Sequence, residues 1–169
     1  MLTFTPVRTS DIRALEHAAA TAWPGVEHEW LEGWLLRAGP PTSKGTGFPA
    51  NSAVPLGLSA RLSTVPGIVA WYERRGLTPR LAIPDRLLSV PTGSTGEHPE
   101  SVLVRDVVDM AAHEPDPSVT LSAFPHDAWL RMFGHDIDVD VLTAVSNGEL
   151  MFGTLDGAAV ARAAVTDAP

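Results

Sequence analysis

A chain of 169 residues, 44% apolar and 19% charged, is long enough for one domain with a real core or for two small lobes, and it is not disordered throughout. A net charge of −8 and a pI near 5.1 exclude a nucleic-acid surface, which needs clustered Lys and Arg. Zero cysteines exclude disulfides, thiol catalysis and thiolate metal sites. With no apolar run of the roughly 20 residues a membrane helix needs and no signal-peptide pattern at the N-terminus, a cytoplasmic location is expected.

The first predicted helix starts at Ser10 or Asp11 and runs to about Thr21, with Ile12, Leu15 and Ala19 on one face. Trp23-Pro24-Gly25 ends it. Residues 26–38 alternate in two halves around Glu32-Gly33, which predicts a hairpin of Val26 to Trp30 and Trp34 to Ala38. Gly39 to Ser52 is rich in Gly, Pro, Ser and Thr and is predicted to be a long loop, of the kind that is usually functional or disordered. A strand is expected over Ala53 to Leu56.

The stretch IVAWYERRGLTPRLAI, residues 68 to 83, reads as a helix that stops at Gly76 and turns into a strand over Arg80 to Ile83. Ser63 or Thr64 is the expected cap, with Pro66 in the first turn. Further on, SVLVRDV from Ser101 predicts a buried strand, with a short helical or extended piece to His113. SVTLSA predicts another strand, and FPHDAWLRMFG a short helix between Pro125 and Gly134. From about Asp138 a β-meander is expected: DVLTAVS, a turn at Asn147-Gly148, ELMFGTL, a turn at Asp156-Gly157, then AAVARAAVT. Its last strand is an apolar edge that needs pairing or cover.

The candidate chemistry is sparse. His126-Asp127, His135-Asp136, Asp138 and Asp140 suggest metal or acid-base work, but Ile137, Val139 and Val141 do not fit a calcium loop, and no metal is expected. There is no G-x-S-x-G elbow and no Walker A loop. Lys44-Gly45-Thr46-Gly47 has phosphate-nest glycines, yet Phe48-Pro49 follows where a helix should open. Of five tryptophans, Trp71, next to Tyr72, pairs with Trp23 or Trp34 as the walls of a possible ligand cleft, with Arg37 and Asn51 as polar handles; core packing is the plain alternative.

Trp71-Tyr72-Glu73-Arg74-Arg75-Gly76-Leu77 resembles the late helix of GCN5-related N-acetyltransferases (GNAT), whose tyrosine donates a proton to the departing thiolate of coenzyme A. With residues 16–39, PANSAVPLG, VTLSAFPHDAWL and VLTAVSNGELMFGTLDGAAVARAAV in the same order, the chain is similar from Leu15 to Thr166 to the N-terminal part of actinobacterial two-lobed GNAT proteins. Two departures stand out: Pro49 replaces the arginine usual before Ala50, and the R/Q-x-x-G-x-G/A pyrophosphate motif is missing.

The resemblance implies an α+β fold: a degenerate first lobe over residues 1–134 with a mixed, mostly antiparallel sheet and flanking helices, then the opening β-meander of a second, incomplete lobe over 135–169. It implies acetyl transfer from acetyl-CoA to an amine, with Tyr72 as the catalytic candidate and Trp23, Arg37, Asn51 and Trp71 as substrate-binding candidates. Without the pyrophosphate motif the expected protein is truncated and inactive alone, with a homodimer partner or a missing C-terminal lobe pairing with the final strand. The alternative is a non-catalytic module that binds a small molecule or docks a partner.

Overall fold

The computed structural model describes residues 8–40, 51–96, 99–104, 114, 116–134, 137–155 and 158–167. Helix α1, Thr9–Ala22, opens where the Asp11 carboxylate accepts the Arg8 backbone N–H at 3.2 Å, an anion placed at the positive end of the helix. The hairpin β1 (Glu27–Leu31) and β2 (Trp34–Ala38) follows. Its turn has φ of 47° at Glu32 and 88° at Gly33, the left-handed pair that suits the twist of a two-residue hairpin loop. A Cβ on Gly33 would lie 2.5 Å from the Ala60 nitrogen, so glycine is required there twice over. Strand β3, Ala53–Val54, completes an antiparallel sheet in the order β1-β2-β3.

One face of this sheet carries Trp34, Leu36 and Ala38, which pack on Ile68, Trp71 and Tyr72 of α2, Val65–Glu73. The other face carries Leu35 and Val54, which meet Ala20 of α1. Arg13 of α1 reinforces that contact by donating to the Leu56 carbonyl at 2.7 Å. All five residues of β2 are therefore buried. Thr64 occupies the expected N-cap of α2, but its hydroxyl donates to Glu32 Oε2 at 2.7 Å and not to the helix. The predicted glycine stop holds: Gly76 has φ of 67°, and the Leu77 N–H reaches back to the Tyr72 carbonyl at 3.1 Å.

A second antiparallel sheet has the order β4-β5-β6, with β4 Val119–Ser122, β5 Gly148–Leu155 and β6 Ala159–Thr166. Helix α3, Asp127–Phe133, ends at Gly134 with φ of 67°, and the short α4, Val139–Thr143, precedes β5. Trp129 of α3 and Leu142 of α4 pack on Phe152, with Leu150 and Val160 at the margin. The Trp129 indole stands edge-on to the Phe152 ring at 5.1 Å, and its N–H donates to the Gly153 carbonyl. The architecture is α+β, two small antiparallel sheets with helices. β4 and β5 pair across the boundary expected near residue 134.

Three expectations for local structure change. Residues 139–143, expected to open the meander as a strand, form α4, because Asp138 accepts the Asp140 N–H at 2.9 Å and starts a helical turn. Residues 80–83 are not a strand; Leu81 makes only an isolated parallel bridge with Ala53. Residues 101–104 are irregular and Leu103 is 93% exposed, since an apolar run becomes a buried strand only where a sheet edge receives it. The loop glycines Gly45 and Gly47, the piece to His113 and the turn residues Asp156 and Gly157 lie outside the described residues.

Candidate functional site

Arg37 is the residue on which the sequence candidates converge. It lies on β2, 4% exposed, and its side chain leaves the sheet on the face opposite α2, as its place between Leu36 and Ala38 dictates. The guanidinium donates to the Trp23 carbonyl at 3.1 Å from Nη1 and to Ser52 Oγ at 2.8 Å from Nη2, while Nε is buried without a hydrogen-bond partner. Burial pulls its pKa down from the usual arginine value. Glu16 of α1 stands close enough to interact with it, and burial pushes that carboxyl up.

Tyr72 meets the same residue from the other side of the sheet. Its hydroxyl donates to the Arg37 carbonyl at 2.9 Å and accepts the Arg37 N–H at 3.3 Å, so both of its hydrogen-bonding directions are taken by one residue's backbone. The ring is fully buried, and that burial pushes the hydroxyl up to about 12. A general acid must reach the atom it protonates and give up its proton near working pH. In this structure both bonds of the Tyr72 hydroxyl tie α2 to β2.

The remaining candidates separate. Trp71 is buried beside Tyr72, ring centroids 4.8 Å apart; its indole N–H donates to Glu29 Oε2 at 2.6 Å and the Arg75 guanidinium lies 3.6 Å over its ring. Arg75 also pairs with Glu27, so the outer side of Trp71 is covered. Asn51 Oδ1 accepts the Gly39 N–H at 2.6 Å, joining the two ends of the 41–50 segment. Trp23 packs in the second region, beneath Arg162. The aromatic cleft expected from Trp71 and Tyr72 with Trp23 or Trp34 does not form: Trp34, Trp71 and Tyr72 fill one core, and Trp23 joins another.

Sequence reasoning missed Arg162. From β6 it donates to the Leu142 carbonyl at 2.7 Å and to the Ala22 and Ala144 carbonyls at 2.8 Å each, with its guanidinium 3.8 Å over the Trp23 ring. It joins the end of α1, the end of α4 and the second sheet. Burial pulls its pKa down to about 10, which leaves it charged at neutral pH. The available signal was one arginine in the otherwise apolar strand AVARAAVT.

The start of α3 does not suit a pyrophosphate. β4 leads into α3, but Pro125 removes an amide before it and Asp127 puts a carboxylate in its first turn. Among the described residues no group of three His, Asp or Glu converges as metal ligands, and no helix is long and apolar enough to cross a membrane.

Comparison with known proteins gives the family. A curated protein of Mycobacterium tuberculosis (strain ATCC 25618 / H37Rv), described as "Probable histone acetyltransferase Rv0428c", is 57% identical over 169 residues, 100% of this chain and 54% of its own length. The chain thus spans about half of that relative. No solved structure matches. Residues 9–169 match a family profile described as "Probable histone acetyltransferase Rv0428c C-terminal", a description that lends no support to the N-terminal placement expected from the resemblance. The chain belongs to this Rv0428c C-terminal family of acetyltransferase-type proteins.

Proposed function

We propose that the chain is part of a GNAT-type N-acetyltransferase that moves an acetyl group from acetyl-CoA to an amine, and that these 169 residues alone are inactive. The observation that carries this reading is the 57% identity, along the whole chain, to a protein named as a probable histone acetyltransferase. The inactivity is supported by the missing pyrophosphate motif, by a Tyr72 hydroxyl bonded to the Arg37 backbone, and by a carboxylate at the start of α3. No acetyl-transfer step is assigned to its residues. A cytoplasmic setting is part of the same reading.

The test is a calorimetric titration of the chain with acetyl-CoA, followed by an acetyl-transfer assay on a lysine peptide. No heat at millimolar ligand and no acetylated product are expected; saturable micromolar binding would mean that the Lys44 to Gly47 segment or another surface holds the pyrophosphate.

One observation favours a second reading, a partner-docking module. The outer face of the second sheet carries Val119, Leu121, Met151 and Val165, which are 40%, 61%, 38% and 73% exposed. An apolar sheet face, with β6 at the edge of the sheet among the described residues, is suited to taking up another strand or layer. Sedimentation at increasing concentration, alone and with candidate partners, tests it.

A further inference from the structure

We propose that Asn147 is a site of spontaneous deamidation, and that the modification loosens the joint between α1 and the second sheet. The inference is independent of the acetyltransferase reading, since it concerns only the Asn147-Gly148 step at the start of β5.

The reaction joins groups of two adjacent residues. The Gly148 backbone nitrogen attacks Cγ of Asn147, its N–H proton passes to solvent, and the side-chain amide leaves as ammonia. One N–C bond forms, one breaks, and the product is a cyclic imide. Water then opens the ring at either carbonyl, giving an aspartyl or an isoaspartyl linkage. Closure of this ring needs a side-chain amide free to turn, a following backbone amide outside the hydrogen-bond ladders, and no bulk on the following residue.

Asn147 and Gly148 meet all three conditions. Asn147 is exposed, and among the described residues its side-chain amide makes no hydrogen bond. Its main-chain carbonyl accepts the Asp167 N–H, just past β6, at 3.2 Å. In a trans peptide the C=O and the next N–H point in opposite directions, so the Gly148 N–H faces away from β6. On that side the pairing of β4 with β5 covers only Phe152 to Leu155, which leaves the Gly148 amide outside both ladders. Glycine adds no bulk, and it is fixed here because a Cβ would run into the Val165 carbonyl oxygen. Asn147 in turn has φ of 49°, in the left-handed region that favours asparagine. Backbone geometry therefore selects this pair, and its reactivity comes with it.

The other asparagine of the chain shows the contrast. Asn51 is 3% exposed, its Oδ1 holds the Gly39 N–H at 2.6 Å, and Ser52 follows it. It has none of the three features.

The isoaspartyl product changes the joint. It routes the main chain through Cβ and Cγ of residue 147, which adds one carbon atom to the backbone next to Ser146, whose N–H is held on the Thr21 carbonyl at 2.9 Å. The carbonyl that accepts the Asp167 N–H becomes a carboxylate, a new negative charge beside Asp167 in a chain of net charge −8.

The test incubates the full 169-residue chain in mildly alkaline buffer, with the same chain in guanidinium chloride as the unprotected reference, and reads peptides by mass spectrometry. The Asn147 peptide of the folded chain is expected to gain one mass unit about as fast as the reference, while the Asn51 peptide of the folded chain stays unchanged. A folded rate at Asn147 about tenfold or more below the reference, the sign that the chain must first open locally, overturns the site. Equal conversion of Asn51 in the folded chain overturns it too. In the aged chain, hydrogen exchange should speed up at the end of α1 and the start of β5, and not in an aged Asn147→Gly variant, which accepts the same φ and has no amide to lose. Aged chains that exchange alike overturn the loosening.

Discussion

The two sheets are built from strands of unequal length, and the longest strands are not the most buried. β2 has only five residues, yet all are buried; β6 has eight, and they alternate exposed and half-buried along its whole course. The difference is layering. α1 and α2 cover both faces of the first sheet, whereas α3 and α4 cover one face of the second and its other face is left to Val119, Leu121, Met151 and Val165. Apolar strands are equally suited to both situations, so the number of layers and not strand composition decides how much each substitution costs.

The sharpest contrast between the regions is expected from large-to-small substitution. Trp34→Ala removes a fully buried ring whose N–H donates to the Arg61 carbonyl, and should cost about 3–5 kcal/mol in denaturant unfolding. Leu121→Ala, on the uncovered face, should stay within about 0.5 kcal/mol. Comparable losses at both positions would show that the second face is covered in solution.

Arg162→Leu breaks the comparison differently, by separating the regions. It leaves three carbonyls without their donor and uncovers Trp23, at a cost of about 2–4 kcal/mol. Hydrogen exchange should speed up at the end of α1 and in α4 together, while β2 keeps its protection.

Tyr72 probes the closed region by pH. Its folded pKa of about 12 lies above the 10.0 of an open chain, so between these values the native state holds a proton that the unfolded state has lost. Stability from this group is complete below pH 10 and falls by about 2–3 kcal/mol as pH rises to 12. Arg162, pulled down to about 10, works in the opposite direction, so the effect should be read as the difference between the wild type and Tyr72→Phe. Tyr72 is the sole tyrosine, and its ultraviolet titration should show a midpoint near 12 when folded. A midpoint near 10 would mean that the hydroxyl is open to water.

The smallest expected change in folding stability comes from Leu121→Lys combined with Val165→Glu. Unfolding should shift by no more than about 0.5 kcal/mol, because both side chains already face solvent. Any concentration-dependent association through the second sheet should disappear, and association that persists would remove the docking reading.

Sequence by itself determined the elements whose signals are local. The Glu32-Gly33 hairpin, the Gly76 and Gly134 helix ends, β4 and the pair of long strands at 148–155 and 159–166 follow from turn chemistry and periodicity that a few residues carry between them. Tertiary structure decided the rest. The alternation at 138–142 satisfies a strand as well as a helix until Leu142 packs on Trp129 and Phe152. The apolar run at 101–104 meets no sheet edge. Tyr72 resembles a proton donor by sequence, but its hydroxyl is enclosed by the backbone of a residue 35 positions away. His17 and His28 line one cavity because α1 packs on the hairpin through Ala20 and Leu35. Long-range packing chooses which of a side chain's possible partners it meets, and no window of sequence contains both partners.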